Sequence, residues 1–204
     1  MKKNRGFTLV EMIVVVSIFA ILLGILTPSL NSILGFRVQR ATESIAAALD
    51  QTKIEASGRL VGAMKLEKRS DGYYISYILD RGKVDGKVNI KVNEIEEKIA
   101  PAKTSITYYI NGNSEAQHFT EAQNSIVLTF DRASGELLPL MCADGWENFD
   151  VLNEVQNTNS YLQSMQLNGK PYCSKIVVKG GSRTRTITLI RETGKYVITA
   201  GETS

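Results

Sequence analysis

Few side chains in this chain of 204 residues are placed to do chemistry. The most telling is Glu11, the one charge inside the run Phe7–Leu26, FTLVEMIVVVSIFAILLGIL. A carboxylate at the centre of a membrane-spanning helix costs on the order of 2.5–3.5 kcal/mol. Glu11 stands near the start of the run, where the cost is lower, yet leucine would be cheaper still. Two readings follow: a carboxylate tolerated near an interface, or an acid that meets a cationic partner. An acid at membrane depth is a functional residue by default, which favours the second. The rest of the inventory is thin. His118 is the only histidine, with no Cys, Asp or Glu around it at metal-ligand spacing, so a solvated imidazole is expected. No nucleophile elbow, phosphate-binding loop or histidine-based metal cluster occurs. We therefore expect no enzyme, no cofactor and no metal site. Cys142 and Cys173 are the only cysteines.

The element that must position Glu11 is the apolar run itself. At about 1.5 Å per residue, a helix over its 20 residues spans ~30 Å, the hydrocarbon thickness of a bilayer. Gly24, Thr27, Pro28 and Ser29 cluster at its end. Proline lacks an N–H and its ring crowds the carbonyl four residues back, here that of Gly24, so the helix is expected to soften or kink between these positions. Helical periodicity then resumes. Leu34, Val38, Ala41, Ile45 and Leu49 form one apolar stripe, with Arg37, Arg40, Glu43, Asp50 and Lys53 largely on other faces. Gly58 is the expected stop, just after Ala56. The two halves make one interrupted helix of about 50 residues, near 75 Å if straight, a length suited to a subunit that packs helix against helix in a filament.

From Leu60 the period changes to two. Tyr73–Leu79 and Val88–Val92 read as half-buried strands, with turns at Asp80-Arg81-Gly82 and Asp85-Gly86. Asn93–Ala100 reads as a polar link closed by Pro101. Ile106–Ile110 is a strand ending in the hairpin signal Asn111-Gly112-Asn113. Residues 111–125 read as a polar loop. Ile126, Leu128 and Phe130 form a strand that turns at Asp131–Gly135 and returns through Glu136–Leu140. Residues 141–172 are the least patterned stretch, with Val151, Leu152 and Val155 on one short helix. This stretch is either a binding loop or a plain connection. Lys175–Lys179, Thr184–Arg191 and Lys195–Ala200 close the chain as three strands joined at Gly180-Gly181 and Thr193-Gly194.

The net charge of +3 comes entirely from the basic start, Met1-Lys2-Lys3-Asn4-Arg5-Gly6. Without Lys2, Lys3 and Arg5, the 24 Lys and Arg fall to 21 against 21 Asp and Glu. That argues for a basic flank on the cytoplasmic side, with the C-terminus outside, and gives no evidence of nucleic-acid binding. An ordinary secretory signal would need a small-x-small site after the apolar region; Gly24-Ile25-Leu26-Thr27-Pro28-Ser29 is a poor one. An uncleaved signal anchor explains the length and the basic flank, but neither the Gly6-Phe7 junction nor Glu11.

Lys2-Lys3-Asn4-Arg5-Gly6 followed by Phe7-Thr8-Leu9-Val10-Glu11 resembles the leader and cleavage site of the type IV prepilin family. Pro28 also stands where many members carry a proline. The later Gly-punctuated strand pairs, IVLTFDRASGELLP, KIVVKG, RTITLI and ETGKYVIT, are similar to those of minor pilins, especially the H-type minor pseudopilins of type II secretion. The resemblance implies an α+β, type IV pilin-like fold: a leader over 1–6, a transmembrane and assembly helix over 7–30, its amphipathic continuation over 31–57, and a β-rich globular domain over 58–204. It implies cleavage by a prepilin peptidase between Gly6 and Phe7, methylation of the new Phe7 amine with its positive charge retained, and assembly with other pilins through Glu11, Gly24 and Pro28. The Phe7 ammonium of an incoming subunit and a neighbour's Glu11 would neutralise each other where either alone is costly to bury. The implied course is from the cytoplasmic membrane to a filament at the cell surface. In an exported domain, Cys142 and Cys173 are compatible with one disulfide or with two thiols. The alternative from another class is a signal-anchored surface domain that binds a ligand or polymer.

Overall fold

The fold was determined as a computed structural model that describes residues 8–58, 61–84, 87–121, 124–140 and 171–202. Helix α1 runs over Leu9–Gly58. Nine strands follow: β1 Val61–Arg69, β2 Gly72–Val84, β3 Lys87–Pro101, β4 Ser105–Ile110, β5 Gln117–His118, β6 Ser125–Thr129, β7 Cys173–Gly180, β8 Arg183–Ile190 and β9 Lys195–Glu202. They form two sheets, ordered β3-β2-β1-β6 and β5-β4-β7-β8-β9, with every pairing antiparallel. The chain is therefore α+β, a long N-terminal helix followed by antiparallel sheets.

The apolar stripe of α1 does what its period demands. Val38, Ala41, Ile45, Ala48, Leu49 and Ala56 are buried in one core with residues of both sheets, among them Met64, Leu66, Ile126, Leu128, Ile176 and Ile187. Alanines on the packed face let the strands approach closely. Thr42 and Thr52 also lie in the core. Their hydroxyls donate back to the carbonyls of Val38 at 2.7 Å and Ala48 at 2.6 Å, so no polar group is left bare. The helix ends at Gly58 as expected, but the softening expected between Gly24 and Pro28 is not seen: the backbone is helical through both.

Two further bonds fasten α1 to the second sheet. The Tyr196 hydroxyl donates to Asp50 Oδ2 at 2.7 Å, and Lys53 Nζ donates to the Thr193 carbonyl at 2.6 Å. The Tyr196 phenol is pushed up to about 12, by burial first and then by the Asp50 carboxylate. The two sheets meet at an aromatic cluster. Phe119 packs edge-on to Tyr73 of β2 and tilted against Tyr108 of β4, with ring centroids 5.8 and 5.4 Å apart. The Ile106 amide donates to the Tyr73 hydroxyl at 3.3 Å.

Several sequence expectations are corrected here. Asp80-Arg81-Gly82 lies inside β2 and is no turn. Asn93–Ala100 is no link: it belongs to β3, paired with β2 at Tyr77↔Glu94, Ile75↔Glu97, Tyr74↔Lys98 and Tyr73↔Ala100. Its polarity reflects an edge strand. Register shifts punctuate the pairing, and Ile95 takes a left-handed φ of 57°. Charged side chains close the outer face, with Arg69 bonded to Glu96 and Lys98 to Asp71. Bulges and charges of this kind blunt an exposed edge. The 111–125 loop contains β5, and its Phe119 is core; His118 is exposed. Glu136–Leu140 returns past β6 by a single bridge, Phe130↔Leu137, while Asp131–Gly135 turns as expected, with Asp131 Oδ1 accepting from the Ser134 amide at 2.7 Å. Asp85-Gly86 and the short helix at Val151–Val155 lie outside the described residues.

The core reading makes Ile45 a sensitive position. Ile45→Ala should lower the unfolding free energy by about 2–5 kcal/mol through lost transfer energy and a residual cavity. Denaturant unfolding with an unchanged midpoint would contradict this placement of the stripe.

Candidate functional site

The candidate site is the first half of α1. It starts at a reciprocal cap. The Thr8 amide and hydroxyl both donate to Glu11 Oε2, each at 2.8 Å, and the Glu11 amide donates to Thr8 Oγ1 at 3.3 Å. This is a capping box, which satisfies amide groups that a helix start otherwise leaves without partners. The negative carboxylate also opposes the positive end of the helix dipole. Glu11 is therefore held at the N-terminal rim, not lost in the apolar run.

Beyond the cap, every large apolar side chain from Leu9 to Leu23 is between 42% and 77% exposed. They point to all sides of the helix, and no described strand covers them. Ser17 is the polar exception, and its hydroxyl donates to the Ile13 carbonyl at 2.8 Å, which hides the group within the helix. At Gly24 an added Cβ would meet nothing within 4 Å, so no neighbour in the monomer requires glycine there. Among the described residues no helix is long and apolar enough to cross a membrane. Within the run Phe7–Leu26, the described side chains are those of Thr8 to Gly24.

Residues 1–27 match the family described as the prokaryotic N-terminal methylation motif. This match supports a type IV pilin-like precursor. The motif implies processing by prepilin peptidase and assembly of pilins in a filament. Neither a curated protein nor a solved structure matches the chain.

Of the residues expected to serve the site, Glu11 and Gly24 lie on one helix with Pro28 and, separated along its axis, form no joint constellation. Gly6 and Phe7 lie outside the described residues, as does Cys142. Cys173 is fully buried at the start of β7, its Sγ 3.6 Å from the Lys175 carbonyl. Burial pushes this thiol up to about 12. Of the stretch 141–172, a binding loop or a plain connection, residues 141–170 likewise lie outside the described residues.

Sequence reasoning missed Thr8. The signal was legible: Thr8-x-x-Glu11 directly before an apolar run is the capping-box pattern. Thr8→Ala should remove two of the three bonds at the helix start while leaving the Thr8 amide bond to Glu11. A lost cap costs about 0.5–2 kcal/mol. Amide exchange at Glu11 and Met12 in micelles should then quicken by about 2- to 30-fold; unchanged protection would show that the cap does not hold this end.

Proposed function

We propose that this type IV pilin-like precursor is a structural, minor subunit of a type IV pilus or of a type II secretion-like pseudopilus, and not an enzyme. Before assembly it sits in the cytoplasmic membrane as a single span over residues 7–30, with the globular domain outside. Prepilin peptidase cuts between Gly6 and Phe7, where glycine lets the peptidase approach the backbone closely. The new amine is methylated and keeps its charge.

The observation that carries this reading is the apolar half-helix, exposed on every face from Leu9 to Leu23. Such a surface has no stable place in water, and the described part of the domain leaves it open. Lipid covers it first, then neighbouring helices. The minor assignment is supported by the Gly-punctuated β-meander at the C-terminal end, β7-β8-β9, and by its likeness to H-type minor pseudopilins.

In this reading Glu11 serves twice. In the precursor it caps its own helix. In the filament the Phe7 ammonium of a neighbour competes for the same carboxylate, and the pair sets the axial register between subunits. An unpaired charge would be costly to bury there.

Two experiments test this. Gly6→Val should leave the leader attached, so that peptide mapping recovers the Met1 terminus; recovery of Phe7 as the N-terminus would refute the cleavage assignment. Comparing two variants at Glu11 separates cap from charge. Glu11→Gln keeps an acceptor for the Thr8 amide and should preserve helix protection, yet it should co-purify with filaments at least tenfold less than wild type. Glu11→Leu should lose both. Wild-type incorporation of Glu11→Gln would show that the charge sets no register.

A further inference from the structure

The turn between β7 and β8 is seated on α1 where the buried half of the helix begins. Cβ atoms built on Gly180 and Gly181 would lie 2.7 Å from Val38 Cγ2 and 3.0 Å from Leu34 Cδ1, so the backbone approaches the helix closely only because both are glycine. Gly181 also has a φ of 61°, a conformation that favours glycine. The turn delivers Arg183 across Gly35, where a Cβ would meet its Nε at 2.9 Å and its Cδ at 3.0 Å. Between the helix and the β8–β9 pair lies an open groove of about 450 Å³, lined by Gly35, Val38, Gln39, Arg183, Thr184 and Arg185 among others. Arg37 on the helix and Lys179 at the end of β7 are also exposed, while Arg40 lines a separate groove with Glu43 and Glu97. The acids beside the first groove are Glu43, which accepts from Gln39 at 2.8 Å, and Glu202, in register opposite Arg183. Cations prevail.

The height of this groove on the rod is set by the helix. Gly35 stands nine residues past Leu26, about 13 Å along the axis. The polar layer of a bilayer extends about 5–8 Å beyond its hydrocarbon core. Arg183, at the start of β8 beside Gly35, covers most of the difference when extended; Arg185 is two residues farther along the strand, and helix tilt brings both closer. Guanidinium groups match phosphate with paired hydrogen bonds.

We propose that the groove between α1 and the β8–β9 pair binds the phosphate of an anionic phospholipid headgroup, through Arg183 and Arg185, while the precursor is held in the membrane. This rests on the single-span reading above and adds a lipid site to it. The site would set how far the globular domain stands from the bilayer and which lipids gather round the precursor before assembly.

The test uses the full-length precursor in nanodiscs of equal parts phosphatidylglycerol and phosphatidylcholine. Native mass spectrometry counts the lipids that stay bound. Wild type should retain phosphatidylglycerol at least fivefold over phosphatidylcholine. Arg183→Gln/Arg185→Gln should bring the ratio to within twofold of unity. Arg183→Lys/Arg185→Lys should keep at least half of the preference, and Arg132→Gln, on the distant Asp131–Gly135 turn, all of it. Circular dichroism should show the same fold in each. A wild type with no preference, or a preference that survives the double glutamine variant, overturns the proposal. So does inorganic phosphate at millimolar concentration if it abolishes retention, because the site would then be a general anion site. A DNA oligonucleotide that binds the groove in place of lipid, and is lost in the glutamine variant, also overturns it. Carbonate extraction separates the two readings: a precursor that fails to insert sinks the membrane assignment as well, while insertion without lipid preference sinks only this one.

Discussion

Everything in this molecule turns on a change of surroundings along one helix. From about Val38 onward, α1 is buried by two sheets and contributes the centre of their core. From Leu9 to Leu23 the same helix carries large apolar side chains that the described residues leave exposed. The hydrophobic effect thus acts twice, once within the chain and once between the chain and whatever covers its first half. The fold completes only the first of these. The described residues thus combine a packed core with a half-helix whose apolar surface they leave open.

The polar atoms of the helix follow the same division. In the covered half, Thr42 and Thr52 turn their hydroxyls onto backbone carbonyls. In the uncovered half Ser17 does the same, and Thr8 and Glu11 satisfy each other at the start. The exposed rod therefore shows few unsatisfied groups to lipid or to neighbouring helices, a requirement wherever water is excluded. Glu11 is reconciled with its greasy setting by position: it lies at the helix rim, where its charge and acceptors both have work.

Much of this was legible in the residues. The apolar stripe at Val38, Ala41, Ile45 and Leu49 gave the packed face, and the Gly6-Phe7 and Glu11 pattern gave the kind of precursor. The strands of the C-terminal meander were read within a few residues. The misses have one cause. Polar sequence reads as loop, but an edge strand is polar for its own reasons. Asn93–Ala100 carries charges that close an open sheet edge, and Asp80-Arg81-Gly82 sits in a long hairpin arm where pairing with β3 overrides turn preference. Phe119 was hidden in a polar loop because one aromatic residue has no period. Thr8 is harder to read because a single hydroxyl at the rim of an apolar run has no period, and the charge three residues later masks its role as a cap.

The fastening of α1 to the second sheet has a mechanical consequence. Asp50 and Lys53 are held by Tyr196 and Thr193 near the far end of the helix, while the stripe from Val38 to Leu49 lies sandwiched along its length. Tension drawn along the rod from Phe7 would not peel these contacts one at a time. It would load them together, in shear, so that withdrawing the helix requires most of the core to yield at once. The domain is built as a grip on its own shaft.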